Sequence, residues 1–183
     1  MKSVKFTAIA LAAILSAVAI PALAQVMVGG APMYSSKDIV DNAVNSKDHT
    51  TLVAAVKAAG LVPTLKGVGP FTVFAPTNAA FAALPAGTVD DLLKPENKAA
   101  LTKVLTYHVV AGKMDTAALI KAVDAGGGKA TLTEVSGGTL TVTKSGTLIM
   151  LSDESGGMAH ITIPDVVQSN GVIHVVDKVL LPK

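Results

Sequence analysis

Apolar residues recur every three or four positions through the first two thirds of the chain, which is the spacing of helices that bury one face. The pattern predicts a first helix that begins after an N-cap at Ser35 or Ser36 and has Asp38 in its first turn. Further helices are predicted at about 51–59 with Gly60 as the stop, from Thr77 to Pro85, for one turn after Thr88, from about Pro95 to residue 105, and from Asp115 or Thr116 to the glycines at 126–128.

Alternating apolar and polar residues dominate the last third of the chain and predict strands. In the last strand, both sets of alternate side chains are largely apolar, which is typical of a strand in the interior of a sheet. Helices followed by strands predict an α+β domain. The predicted strands are 71–74, 107–110, 130–136, 139–144, 147–151, 158–163 and 171–181, with glycine-containing hairpin turns at 137–138 and 145–146.

The N-terminal segment differs in composition from the rest of the chain. Two lysines precede an apolar run over 6–20, and a pattern of small residues ends at Ala24. A membrane anchor is the alternative, but the run is shorter than the roughly 20 residues that a spanning helix needs. We therefore predict a cleaved signal peptide at 1–24, a flexible leader at 25–34 and a single domain at 35–183, exported to the periplasm or secreted, with no membrane span after cleavage.

The composition excludes several classes of partner. The chain has no cysteine, so an exported domain must be held together by packing alone. It also has no arginine and no tryptophan, and the net charge of +2 comes from the lysines at 2 and 5, so the chain beyond residue 24 is neutral. Without arginine, a basic surface or aromatic stacking residues, the domain is not expected to bind nucleic acid.

The four histidines are the main candidates for metal ligands, but none belongs to a short metal-binding motif. His160 and His174 lie on neighbouring predicted strands and form the best candidate pair. Because a metal site also needs a third and a fourth ligand, a structural hydrogen-bonding role is the favoured interpretation. We predict no metal and no cofactor.

Motifs for catalysis are also missing. The sequence has no nucleophile elbow, and the glycine-rich run at 126–129 lacks the leading glycine and the Ser or Thr of a phosphate-binding loop. The neighbouring acids at 90–91 and 153–154 are expected to stay solvated rather than to form a catalytic pair. The sequence therefore predicts that the protein is not an enzyme.

Three segments resemble, in order and approximate separation, the signature segments of fasciclin-like domains. They are 69–81 (GPFTVFAPTNAAF), 105–110 (LTYHVV) and 169–182 (SNGVIHVVDKVLLP). The resemblance spans nearly all of the chain after the predicted signal peptide. It implies a twisted β-wedge or sandwich flanked by several short helices, and a role in adhesion through binding to other proteins or to matrix components.

The first of these segments is consistent with a scaffold. Phe71, Phe74 and Phe81 are expected to fill the core, because they lie on a predicted strand and on the helix that follows it. Thr77 is expected to cap that helix. Asn78 is expected to bond the nearby backbone.

The last segment is expected to supply the interior strand. Asn170 and Gly171 favour a turn with positive φ. The strand that follows contains His174 and ends near Asp177. We expect this valine-rich strand to pack directly against the phenylalanine-rich segment and to form one core with it.

The resemblance also implies a binding surface. In animal matrix members of the family, receptor contact is assigned to an acidic residue with its apolar neighbour and to the tyrosine–histidine segment. The corresponding residues are Asp165, Val166, Tyr107 and His108. The alternative is that Tyr107 and His108 are half-buried and brace the fold.

Two kinds of function remain open beside an enzyme, which is disfavoured. The first is an extracytoplasmic module that binds a cell-surface or extracellular-matrix protein or polymer. The second is a binder of a small apolar ligand or of a polymer surface, which the high apolar fraction and the methionines at 114, 150 and 158 suggest. Ordinary core filling is the favoured explanation of those methionines.

Overall fold

The computed structural model describes residues 25–183, so the signal peptide predicted at 1–24 lies outside the described residues. The α-helices are α1 (Ile39–Ala43), α2 (Thr50–Ala59), α3 (Val62–Leu65), α4 (Asn78–Ala82), α5 (Thr88–Leu93), α6 (Lys98–Tyr107) and α7 (Thr116–Ala125). The strands are β1 (Met27–Val28), β2 (Ala31–Pro32), β3 (Phe71–Pro76), β4 (Val109–Ala111), β5 (Lys129–Thr133), β6 (Thr139–Ser145), β7 (Leu148–Ser152), β8 (Met158–Gln168) and β9 (Gly171–Val176).

Seven strands form one mixed sheet in the spatial order β4-β3-β9-β8-β7-β6-β5. The pair β3 and β9 is parallel, with Phe71 opposite Gly171, and the other neighbouring pairs are antiparallel. At the two ends of this order, Val110 of β4 forms an isolated bridge with Glu134, which follows β5. The sheet therefore comes close to closing into a barrel, and short helices flank it. This architecture confirms the predicted α+β wedge.

The parallel strands β3 and β9 are buried on both faces. Val73 and Ile173 face a core that they share with α1, α2 and α6. Phe74 and Val176 face a second core that they share with α7 and with β5 to β8. Each side chain of this size stabilises the fold by about 1.5–3 kcal/mol when fully buried. Since β3 and β9 contribute such side chains to both cores, they connect the two cores. The predictions that the last strand is interior and that it packs against the phenylalanine-rich segment are confirmed.

The chain around Tyr107 differs from the prediction. Tyr107 is the last residue of α6 and His108 is its C-cap, so the strand begins only at Val109. The reason is that the apolar stripe of the helix continues through Leu101, Val104 and Leu105 to position 108, which keeps that face against the core. The three residues that follow, Val109 to Ala111, pair with β3 as β4.

Two helix starts also differ from the prediction. Asp38 is the N-cap of α1 itself, because its Oδ1 accepts a hydrogen bond of 2.8 Å from the amide of Asp41. Thr88 is the first residue of α5, and Gly87 occupies the capping position with a φ of 86°. An exposed cap can shift by one or two residues at little cost, so the apolar pattern alone did not determine it.

The last two strands have different limits from those predicted. β8 continues beyond residue 163 to Gln168, because a bulge around Pro164 and Asp165 changes the register without ending the strand. β9 ends at Val176 instead of 181, and the next residue, Asp177, accepts a hydrogen bond of 2.7 Å from the amide of His160.

The segment predicted as a flexible leader contains a small hairpin. β1 pairs with β2 across a glycine turn, and Val28 and Met33 are buried against the core of the domain. Burial of these apolar side chains stabilises the hairpin, which the glycine and proline content of the segment did not indicate. Within residues 25–183 no helix has the length and apolar character needed to cross a membrane.

Candidate functional site

Tyr107 is completely buried and hydrogen-bonded at its tip. Its hydroxyl donates to the carbonyl of Thr139 at 2.7 Å and accepts from the amide of Glu154 at 3.1 Å. Burial raises the pKa of Tyr107 to about 12, so the phenol stays neutral. The side chain therefore joins α6 to the first residue of β6 and to the turn after β7, in the bracing role of the alternative but completely buried instead of half-buried.

His108 has both ring nitrogens bonded inside the protein. Nε2 accepts from the amide of Leu180 at 3.0 Å, which leaves Nδ1 as the donor to the carbonyl of Val104 at 2.8 Å. Burial lowers the pKa of His108 to about 4, so the ring is neutral near pH 7. This residue ties the end of α6 to the segment after β9.

Asp165 lies at the β8 bulge and is partly exposed. Its φ of 55° makes it the one non-glycine residue with positive φ between residues 25 and 183. Oδ1 accepts a hydrogen bond of 2.7 Å from the amide of Thr116, at the start of α7. Oδ2 has no hydrogen-bond partner among residues 25–183. Such strained conformations concentrate at functional sites and persist where the surroundings hold them.

His174 supports the bulge from beneath. Its Nδ1 accepts from the amide of Asp165 at 3.3 Å, and Nε2 donates to the carbonyl of Met114 at 2.8 Å. The ring is buried and stacks on Phe74 with centroids 5.7 Å apart. Burial lowers the pKa of His174, which favours this neutral form. His174 thus holds the bulge and the loop before α7 at fixed positions.

The four residues predicted to contact a partner do not form one exposed surface. Asp165 is partly exposed, whereas Val166, Tyr107 and His108 are buried. The segment of Tyr107 and His108 is linked to the segment of Asp165 and Val166 only indirectly, through Phe74. The ring of Phe74 stacks on the ring of His174, and its amide donates a hydrogen bond of 2.9 Å to the carbonyl of His108. A role of these residues in partner binding stays a prediction, and only Asp165 has a side chain placed to touch a partner.

The first signature segment is mainly structural. Phe74 and Phe81 are buried as predicted, but Phe71 is only half-buried because it begins β3 at the edge of the core. Thr77 caps α4 by accepting from the amide of Ala80 at 3.2 Å, which confirms that prediction.

Asn78 bonds to a distant element instead of the local backbone. Its Oδ1 accepts from the amide of Thr51 at 3.0 Å, and its Nδ2 donates to the carbonyl of Lys47 at 2.8 Å. His49, the N-cap of α2, makes no capping bond with its own side chain. Asn78 therefore caps α2 from α4, a contact that sequence position could not reveal.

The turn before β9 depends on close backbone approach. Neither Asn170 nor Gly171 has a positive φ, so that prediction is wrong. Gly171 is required because a Cβ at this position would overlap the carbonyl oxygen of Phe71. Asn170 accepts from the amide of Ile39 at 3.1 Å and donates to the carbonyl of Leu65 at 2.8 Å, which joins α1 and α3 to the turn.

The histidine pair considered for metal binding does not form. His160 bonds to Asp177 through Nδ1 and Oδ2 at 2.9 Å, whereas His174 points to the loop before α7. Among residues 25–183, no group of three or more His, Asp or Glu side chains is arranged to hold a metal ion.

Sequence reasoning missed the buried acid Glu134. This side chain is 4% exposed, and its Oε1 has no hydrogen-bond partner among the described residues. Burial, together with the nearby carboxylates of Glu154 and Asp153, raises the pKa of Glu134 to about 8. The signal was present in the alternation, because Ala130 and Leu132 face inward from β5 and position 134, just after the strand, continues the same alternation.

An apolar cavity of about 80 Å³ lies between the helices α1 to α3 and the β3–β9 part of the sheet. Ile39, Leu52, Val56, Val73 and Ile173 are among the residues that line it. Sequence reasoning could not locate this space, because it depends on how the layers pack.

Comparison with known proteins agrees with the fold and identifies the family. The model of the Fasciclin domain matches residues 47–182, and the chain belongs to the fasciclin domain family. The solved FAS1 domain pair of the insect cell adhesion molecule Fasciclin I has the same fold, with a TM-score of 0.71 and 16% identity over 79% of this chain and 51% of that one. The resemblance predicted from the three signature segments is confirmed.

Similar chains occur in bacteria. Protein sll1483 of Synechocystis is 49% identical over 158 residues, which cover 85% of this chain and 79% of that protein. The immunogenic protein MPB70 of Mycobacterium bovis is 36% identical over an alignment that covers 97% of this chain and 93% of that protein.

Proposed function

We propose that this protein is a non-catalytic, extracytoplasmic adhesion or interaction module that binds a cell-surface or matrix partner. The fasciclin domain family is associated with adhesion and protein interaction, which supports the general class. The predicted signal peptide supports export. The specific proposal is that the partner contacts the β8 bulge.

The conformation and the contacts of Asp165 support the assignment of the partner contact to the β8 bulge. One carboxylate oxygen is used to hold the bulge against α7, and the other is free to meet a partner's cation or donor. The residue keeps an unfavourable backbone conformation that a buried histidine and the α7 amide enforce. Pro164 and Val167 beside it are exposed, and they add apolar contact area.

Crosslinking and capture from intact cells that export the protein test the proposal. Asp165→Asn removes the charge but keeps an acceptor for the Thr116 amide, and Asn tolerates positive φ. Asp90→Asn is the matched control, because Asp90 is exposed on α5 and no ion pair within residues 25–183 involves it. Capture should fall at least several-fold for Asp165→Asn and stay at the wild-type level for Asp90→Asn.

The two parts of the proposal fail separately. Equal capture by the wild type and Asp165→Asn would move the contact surface elsewhere on the domain. No specific capture by the wild type under any crosslinking condition would contradict the interaction function itself.

A further inference from the structure

The apolar cavity runs along one face of α2. His49, Leu52, Val53, Val56 and Lys57 all line it. These positions are three and four residues apart, so they lie on one side of the helix. At 1.5 Å per residue, the stripe from His49 to Lys57 is about 12 Å long. Residues along most of α2 therefore border the cavity.

The cavity wall has almost no polar surface. Across from α2, the side chains of Val73, Val166 and Ile173 line it. An engineered apolar cavity of about 150 Å³ stays dry and binds benzene, so an apolar cavity of about 80 Å³ has room for a slimmer apolar molecule. The small volume, bordered by apolar side chains along one helix face, favours a narrow aliphatic chain over a ring.

The two ends of the cavity differ in charge and exposure. At one end His49 is 3% exposed, and its Nδ1 bonds Ser46 at 2.8 Å. Burial lowers the pKa of His49, so this end is neutral and closed. At the other end Lys57 is exposed, and no salt bridge within residues 25–183 involves it. Thr64, also exposed, lies on the same rim.

We propose that this cavity binds an unbranched aliphatic carboxylate, with the anionic head group at Lys57 and the chain directed along α2 toward His49. The buried apolar wall supplies the affinity, and the lysine at the mouth sets the orientation. This site goes beyond the interaction function and does not include Asp165, although Val166 of the cavity wall directly follows that residue at the β8 bulge.

A chain-length series tests the geometry. The purified protein is titrated by calorimetry with straight-chain carboxylates from butanoate to dodecanoate, each below its micelle concentration. Affinity should rise about fourfold for each methylene that enters the cavity and should level off once the chain fills it, because further methylenes stay outside. The absence of binding at every length, or a rise without a plateau, would overturn the proposal.

Paired variants locate the site. Val53→Phe places a larger side chain in the cavity, and Ala54→Phe makes a similar change on the exposed face of the same helix. The first should reduce binding at least tenfold and the second should leave it unchanged, with circular dichroism confirming that both are folded. Equal binding by both variants contradicts the assigned cavity. If Val53→Phe does not fold, the chain-length series decides alone.

The proposed contact between the carboxylate head group and Lys57 is tested by comparing acids with alcohols. Lys57→Gln should weaken binding of the carboxylates about two- to fivefold, as expected for an exposed ion pair, and should leave the matching alcohols unaffected. Lys121→Gln on α7 is the control. Equal loss for acid and alcohol would exclude Lys57 as the partner of the head group.

Discussion

Single residues in this domain are constrained mainly by what lies directly against them. Gly171 is fixed by the carbonyl of Phe71, and Asn170 by amide and carbonyl groups of two helices. His108 and His174 each use one nitrogen as donor and the other as acceptor, so each must be neutral. The polar residues of the signature segments therefore specify the fold, and Asp165 alone among the predicted contact residues has a free oxygen to offer.

Phe74→Ala should lower the free energy of unfolding by about 3–5 kcal/mol, because the fully buried ring contacts both the second core and His174. Phe71→Ala, at the first residue of β3 and three positions before Phe74, is the control and should cost markedly less because Phe71 is half-buried. Urea denaturation of both variants measures the difference. Equal losses would contradict the assigned burial.

The sequence could predict residues whose partners follow from local pattern, and it failed where the partner lies far along the chain. Thr77 as a cap and the buried Phe74 follow from a strand–helix junction. The contacts of Asn78 with 47–51 and the strained φ of Asp165 depend on tertiary packing, which leaves no periodic signal. The apolar cavity is invisible for the same reason.

At the scale of elements, several short helices are held by contacts from other elements, and α2 and α3 have no N-cap hydrogen bond from a side chain of their own. α2 depends on Asn78, and α1 and α3 depend on Asn170. Since isolated helices of this length are marginal in water, such contacts contribute most of their order. The pattern of apolar residues locates the helices well, whereas their ends follow from these contacts.

Asn78→Ala should destabilise α2 by about 1–2 kcal/mol, because the first amides of the helix lose their acceptor and the Lys47 carbonyl loses its donor. Asn78→Asp keeps the acceptor and should cost less. Asn45→Ala removes one exposed bond to the Asp41 carbonyl and serves as the control. Amide exchange at residues 51 and 52 measures the local effect; unchanged protection in Asn78→Ala would contradict the capping role.

The whole molecule contains buried groups that titrate in opposite directions. Folding lowers the pKa of His108, His174 and His49 and raises the pKa of Glu134. The histidines contribute stability that is present above their unfolded pKa of about 6.5 and is lost as the pH falls through about 4 for His108. Glu134 contributes stability that is full below about 4.5 and is lost as the pH rises through about 8.

The melting temperature should therefore be highest near about pH 6 and should fall on both sides. Glu134→Gln should remove the fall between pH 6 and about 9, because the amide stays neutral. Scanning calorimetry from about pH 4 to 9 measures both curves. Glu96→Gln, at an exposed position after α5, is the control. A wild-type curve that is flat above neutrality would contradict a protonated Glu134 in the native domain.

The parallel pairing of β3 with β9 has a consequence for biosynthesis. Phe71 and Gly171 meet only after a loop of about one hundred residues has closed, and such long-range pairings form slowly. While the ribosome is still making the last segment, β3 lacks its central neighbour and neither core is complete. We expect the nascent chain to remain unfolded until β9 has been synthesised. For most of its synthesis, a chain exported as proposed would therefore still be able to pass through a narrow secretion channel.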